Sequence, residues 1–358
     1  MRKGSTDLAA VSEVLRWRRE SSLPDNWLAS YDKLLEEKLA VSLSQPEDQC
    51  ILRSLLFLHP ETRTRLLRSH SVASEILKPQ HEPRQKGWIA NLVLLELAKI
   101  GVITKIDEKL WSANGNCYLD VNAPDAWGAA GAVVPNTNFA LDCFSPFNFG
   151  SDQTGDVGIF GEADAASLAE FISTACSIVR DSSPLAWQFV ESVIDAIAVR
   201  KVINSPNAFS SGSFGRRARV MLLSFGAVKS ADLAQVANAL VHEAIHSLLF
   251  MFEETNGEFV DRSICRDPLV VRSPWTGRML RLDAYVHACV VWYGLYWLWQ
   301  EFQANLLISE TRQSEMANFA RAGFSQYPVS TGLSEWRKSL SPPIMELLSN
   351  IELEMLDA

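Results

Sequence analysis

Residues 233–252 read LAQVANALVHEAIHSLLFMF. Apolar side chains fall at 233, 236, 237, 240, 241, 244, 245, 248, 249 and 252, the spacing of a helix rather than the alternation of a strand. The stretch is also far longer than an ordinary strand, so it predicts a long helix starting near Asp232 and buried on most of its circumference. His242, Glu243 and His246 interrupt the apolar surface and spell HExxH. Residues four apart share a helix face, so His242 and His246 can offer two imidazoles to one point, with Glu243 one step round. That is how a metal site is built on a helix. Without a metal, two buried imidazoles beside a buried carboxylate each need a hydrogen-bond partner.

The other histidines are 59, 70, 81 and 287. The first three lie in polar joints of the N-terminal region, where surface or helix-end roles are expected. His287 lies 41 residues after His246, near the start of a second apolar helix, DAYVHACVVWYGLYWLW (283–299). It is the expected third metal ligand. Glu301, on the same helix but fourteen residues further on, is the rival, because a following helix often supplies a carboxylate to such sites. Glu253, Glu254 and Glu258 are expected in a polar loop. Between the two helices VRSPWTGR (271–278) carries turn residues and arginines. An arginine beside a metal needs an anionic partner, and a carboxylate suits its planar fork. The alternative for Arg278 or Arg281 is an ordinary pair with Asp283.

The rest of the chain supports a helix-rich protein. Residues 1–100 read as a helical region punctuated by Pro24, Pro46 and Pro60, with 87–100 crossing its core. From Gly101 short β-prone pieces appear, such as GVITKI, NCYLDV and GAAGAVV, separated by turn residues. Helices are expected at 163–180, 184–200, 311–322 and 343–356, with a strand at 218–225. The predicted fold class is therefore α+β and helix-dominated. An N-terminal helical region (1–100) precedes a catalytic metal-binding domain (101–358), with a small, mainly antiparallel sheet and a two-helix metal site.

Composition narrows the function classes. The 358 residues are 47% apolar and 21% charged, which is ordinary globular usage. The net charge of −9 argues against nucleic-acid binding. Residues 111–200 account for the excess, with 2 basic against 11 acidic side chains, whereas residues 1–110 carry 17 against 15. A charge block of this kind ordinarily forms a solvated face. Six cysteines without a CxxC suggest neither a disulfide framework nor a zinc ribbon. The apolar run 284–299 is 16 residues long, short of the ~20 a membrane span needs. No secretory signal is recognised at the N-terminus, so a cytoplasmic location is expected, with no membrane partner.

The ordered set FSSGSFGRRARVMLLSF (209–225), ALVHEAIHSLL, SPWTGR and AYVHACVVWYGL resembles the HExxH-motif domain of peptide-modification clusters. The likeness spans residues 205–300. Members of that family are 2-oxoglutarate-dependent, iron-using β-hydroxylases of amino-acid residues in ribosomally made peptides, a natural-product chemistry. The resemblance implies Fe(II), 2-oxoglutarate and dioxygen as reactants, with a peptide or amino-acid-derived substrate. It makes His242, His246 and His287 metal ligands, assigns Arg278 to the 2-oxoglutarate carboxylate, and leaves Glu243 to orient a histidine or a water. Two other readings use the same residues. A zinc peptidase or hydrolase would employ Glu243 as general base. A non-catalytic protein with a structural metal would need four closed ligands.

Overall fold

The computed structural model describes residues 8–78, 86–102, 110–120, 127–128, 133–145, 156–213, 215, 218–261, 270–303 and 306–358. His81, much of GVITKI and GAAGAVV, and Arg216 and Arg217 lie outside the described residues. Helices take up 60% of the described residues and strands 12%, so the fold is α+β and helix-dominated.

The helices are α1 (Val11–Val14), α2 (Leu23–Ser42), α3 (Gln49–Phe57), α4 (Pro60–Arg68), α5 (His70–Ile76), α6 (Lys86–Lys99), α7 (Glu162–Ser182), α8 (Pro184–Val193), α9 (Leu233–Asn256), α10 (Leu282–Glu301), α11 (Glu310–Gln326), α12 (Val329–Gly332) and α13 (Pro342–Asp357). The chain divides into two compact units. One gathers Met1–Trp27, Ala175–Ser192 and Leu233–Ala358; the other gathers Leu28–Thr174 and Val193–Asp232. The change of sequence texture near residue 100 lies inside the second unit.

The second unit holds two sheets. Short strands β1 (Leu110–Trp111), β2 (Tyr118–Leu119) and β3 (Trp127–Gly128) form an antiparallel trio. The larger sheet contains β4 (Ala140–Asp142), β5 (Val157–Gly158), β6 (Ala196–Val202), β7 (Phe209–Ser213) and β8 (Val220–Phe225). It is mixed: β6 runs parallel to β4 and β8, while β5 and β7 pair antiparallel at its margins. The helix expected over 184–200 stops at Val193, and residues 196–202 form the central strand instead. A parallel strand buried on both faces reads as a continuous apolar run, and periodicity cannot separate AIAV from the interior of a helix. Asp195, just before this strand, holds the buried Arg219 in a two-pronged pair at 2.6 and 2.5 Å.

The first unit is a helix bundle organised around α10. This helix packs on α9, α11 and α13, which is why residues 283–299 are apolar on nearly every side. No described helix is long and apolar enough to cross a membrane. Gly294 sets the approach of α9 and α10: a Cβ there would lie 2.6 Å from Ile245 Cδ1, inside van der Waals contact. Between α9 and α10 a hairpin forms from β9 (Val271–Arg272) and β10 (Met279–Leu280), its turn made by SPWTGR.

Candidate metal centre

The centre is built within the first unit, on α9 and α10. His242, Glu243 and His246 each present a ligand atom, and the three atoms lie within 4.8 Å of one another. His242 is partly accessible, with 24% of its side chain exposed, and its Nε2 lies 3.8 Å from Glu243 Oε1. Glu243 is buried. The two histidine rings are tilted with centroids 4.9 Å apart, as residues one helical turn apart on one face must be.

His287 stands against this group from α10. It is buried, and its Nδ1 is 3.2 Å from Nδ1 of His246. Its other nitrogen, Nε2, is 3.0 Å from Oε2 of Glu253. The structure therefore joins His287 to His246, but His287 is not part of the group of ligand atoms that His242, Glu243 and His246 bring within 4.8 Å. Glu301 is elsewhere. Fourteen residues along α10 correspond to about 21 Å, and its carboxylate takes the Arg18 guanidinium at 2.8 and 2.6 Å.

Removal from water and the neighbouring His242 and His287 rings hold His246 well below the ordinary histidine pKa. Its ring is neutral at neutral pH and keeps a lone pair to donate. This donor set fits a transition metal. Nitrogens about 2.0–2.1 Å from a shared ion, at tetrahedral or octahedral angles, stand about 3.0–3.4 Å apart. The His246–His287 pair has that spacing.

Aromatic rings wall the centre. Phe250 stacks on His246 at 6.0 Å and lies 4.8 Å from His287, while Phe259 meets His287 edge-on at 5.7 Å. Trp292 presents its edge to His242 at 5.9 Å and stacks on Trp275 at 5.7 Å. Trp275 belongs to the hairpin turn, and its indole N–H donates to the Ala320 carbonyl at 2.8 Å. The turn is closed by Gly277 N–H to Ser273 O and Ser273 N–H to Arg278 O, both 2.8 Å. Arg278 is exposed, and no side-chain partner of its guanidinium is found among the described residues. Arg281, by contrast, pairs with Asp283 at 3.0 and 2.7 Å.

Glu253 is the residue that sequence reasoning missed. It lies in α9, which runs to Asn256, and not in a polar loop. Positions 242, 246 and 253 are separated by four and seven residues, one stripe of a 3.6-residue helix, so the signal was present. Comparison with models of known protein families and with curated proteins finds no match to this chain.

Proposed function

We propose that this chain is a cytoplasmic non-haem Fe(II)/2-oxoglutarate-dependent oxygenase. It hydroxylates an unactivated carbon, the β-carbon of an amino-acid residue in a peptide or a related small substrate. The observation that supports this reading is the pair of imidazoles that His242 and His246 present beside Glu243, with His287 reaching His246 from the second helix at 3.2 Å between nitrogens. Iron, when bound, supplies the redox chemistry. The C–H bond and 2-oxoglutarate are oxidised as dioxygen is reduced: one oxygen atom enters the new hydroxyl, the other enters succinate, and CO2 leaves.

The chain's own residues hold, orient and shield. His242, His246 and His287 provide the protein's ligands and leave positions open for a 2-oxo acid and dioxygen. Phe250, Trp292 and Trp275 keep water from the reacting centre. Arg278, three residues beyond Trp275, binds the distal carboxylate of 2-oxoglutarate by charge-assisted hydrogen bonds. Glu243 orients the donor set from its buried position.

One observation favours a second reading, a zinc hydrolase. Glu243 lies 3.8 Å from His242 Nε2, where a general base could take a proton from an attacking water. An anaerobic titration separates the two. Fe(II) and 2-oxoglutarate added to apoprotein should give the visible charge-transfer band of a bidentate 2-oxo acid complex, and His287→Ala should lose it. Iron binding without that band, or tight binding of zinc alone, makes the hydrolase the better account.

A further inference from the structure

Glu253 touches no candidate ligand except His287, yet its contacts determine which nitrogen of His287 is available. Its side chain is 9% exposed and sits between the Phe259 backbone N–H and the His287 ring. Oε1 accepts from the Phe259 backbone N–H at 3.0 Å. Oε2 faces His287 Nε2 at 3.0 Å. With Oε1 already accepting from Phe259, Oε2 faces the ring as a second acceptor, an arrangement that calls for the His287 proton on Nε2. Its Nδ1 is then a bare lone pair, and this is the atom 3.2 Å from His246.

From this arrangement we infer that Glu253 is a positioning residue of the metal centre, fixing His287 in the Nε2–H tautomer so that Nδ1 is its ligand atom. The inference rests on the proposed metal site but not on iron or on oxidation. Metal-binding histidines commonly donate their second N–H to a carboxylate, which sets ring orientation and raises ligand basicity.

The conservative variant shows why a carboxylate is needed. Glutamine at 253 has one oxygen and one NH2, but the site presents two donors. If the oxygen serves Phe259, the NH2 faces Nε2 and drives the His287 proton to Nδ1, blocking the ligand atom. If the oxygen serves His287, two N–H groups collide at Phe259.

The test uses 15N-histidine-labelled apoprotein and Zn(II) alone, with resonances assigned by single histidine substitutions. Long-range proton–nitrogen spectra of the wild type should show His287 protonated on Nε2 and bare on Nδ1. Zn(II) should shift Nδ1 while the Nε2 proton persists. In Glu253→Gln the metal-free tautomer should change, and Zn(II) affinity, measured against a chromophoric chelator, should fall about 10–100-fold. A merely structural Glu253 would lower the melting temperature and leave tautomer and affinity alone, which would overturn the inference. So would zinc coordination through Nε2 in the wild type, which is visible even if the variant does not fold. An absent charge-transfer band with these zinc results intact would count against the oxygenase and not against Glu253.

Discussion

Substituting Gly323 by alanine tests how the hairpin turn is held over the candidate metal centre. Gly323 is buried in α11, and a Cβ there would lie 2.2 Å from Trp275 Cε2 and 2.3 Å from Nε1. Carbon atoms rest about 3.5–4.0 Å apart, so the indole would have to retreat by about 1.3 Å or more. It has little room: Trp275 is 8% exposed, Trp292 stacks against it, and Phe324 meets it edge-on at 5.0 Å. Overpacking of this kind costs about 1–3 kcal/mol. Losing the hydrogen bond to Ala320 adds about 1 kcal/mol, and replacing a helical glycine returns up to about 1 kcal/mol. The expected net is a loss of about 1–3 kcal/mol. In a Trp275→Leu background the wall is gone, so the same substitution should be neutral or stabilising. A double-mutant cycle by urea unfolding measures this coupling. Tryptophan fluorescence reports mainly the right unit, since 8 of the 11 tryptophans lie in it. A stabilising Gly323→Ala, or the same loss in both backgrounds, would refute the close-packing argument. Displacing Trp275 also displaces the turn bearing Arg278, so on the oxygenase proposal 2-oxoglutarate affinity should weaken while iron affinity holds.

Four further outcomes are expected. Burial pushes the Asp142 carboxyl from 3.8 up to about 6, against hydrogen bonds from Ser145 and Phe144 that favour ionisation. A folded-state pKa above the unfolded one means stability is greatest below pH ~4 and falls as pH rises through about 6, by about 3 kcal/mol for a shift of roughly two units. Asp142→Asn should flatten that slope in urea unfolding at pH 4–7, and an unchanged slope would show that another group is responsible. Asp195→Ala strips the buried Arg219 of its two-pronged partner and should cost about 3–5 kcal/mol by the same assay; a loss under 1 kcal/mol would show that the pair does not hold the strand. His242→Ala or His246→Ala should abolish metal binding and activity, with stoichiometric iron in either variant sinking the site assignment. Glu243→Gln should keep its metal and turn over slowly as an oxygenase, whereas a hydrolase should lose nearly all activity.

What the sequence reveals here depends on the range of the interaction that decides each feature. The HExxH helix and α10 are legible because burial writes a local pattern, apolar residues recurring at helical spacing with few polar groups between them. Residues 196–202 were misread because a doubly buried strand loses its alternation, and only its neighbours β4 and β8 make it a strand. The approach of Trp275 to Gly323 spans 48 residues and leaves no periodic trace.

Glu253 lies between these cases. Its place on the stripe of His242 and His246 is a matter of local geometry, but that stripe extends to 253 only if the helix does. The local signals from Glu253, Glu254 and Asn256 favour an earlier end. The tertiary contacts weigh the other way: Phe252 packs on Phe259 at 5.4 Å, the Glu253 carboxylate takes the Phe259 N–H, and the segment after it is pinned by the bridge of Val260 to Leu340. The last of those contacts spans 80 positions of the chain. A charged residue just past an apparent helix end, in phase with candidate ligands upstream, therefore deserves to be read as part of the site, because the packing that lengthens the helix also delivers its carboxylate to the second histidine-bearing helix.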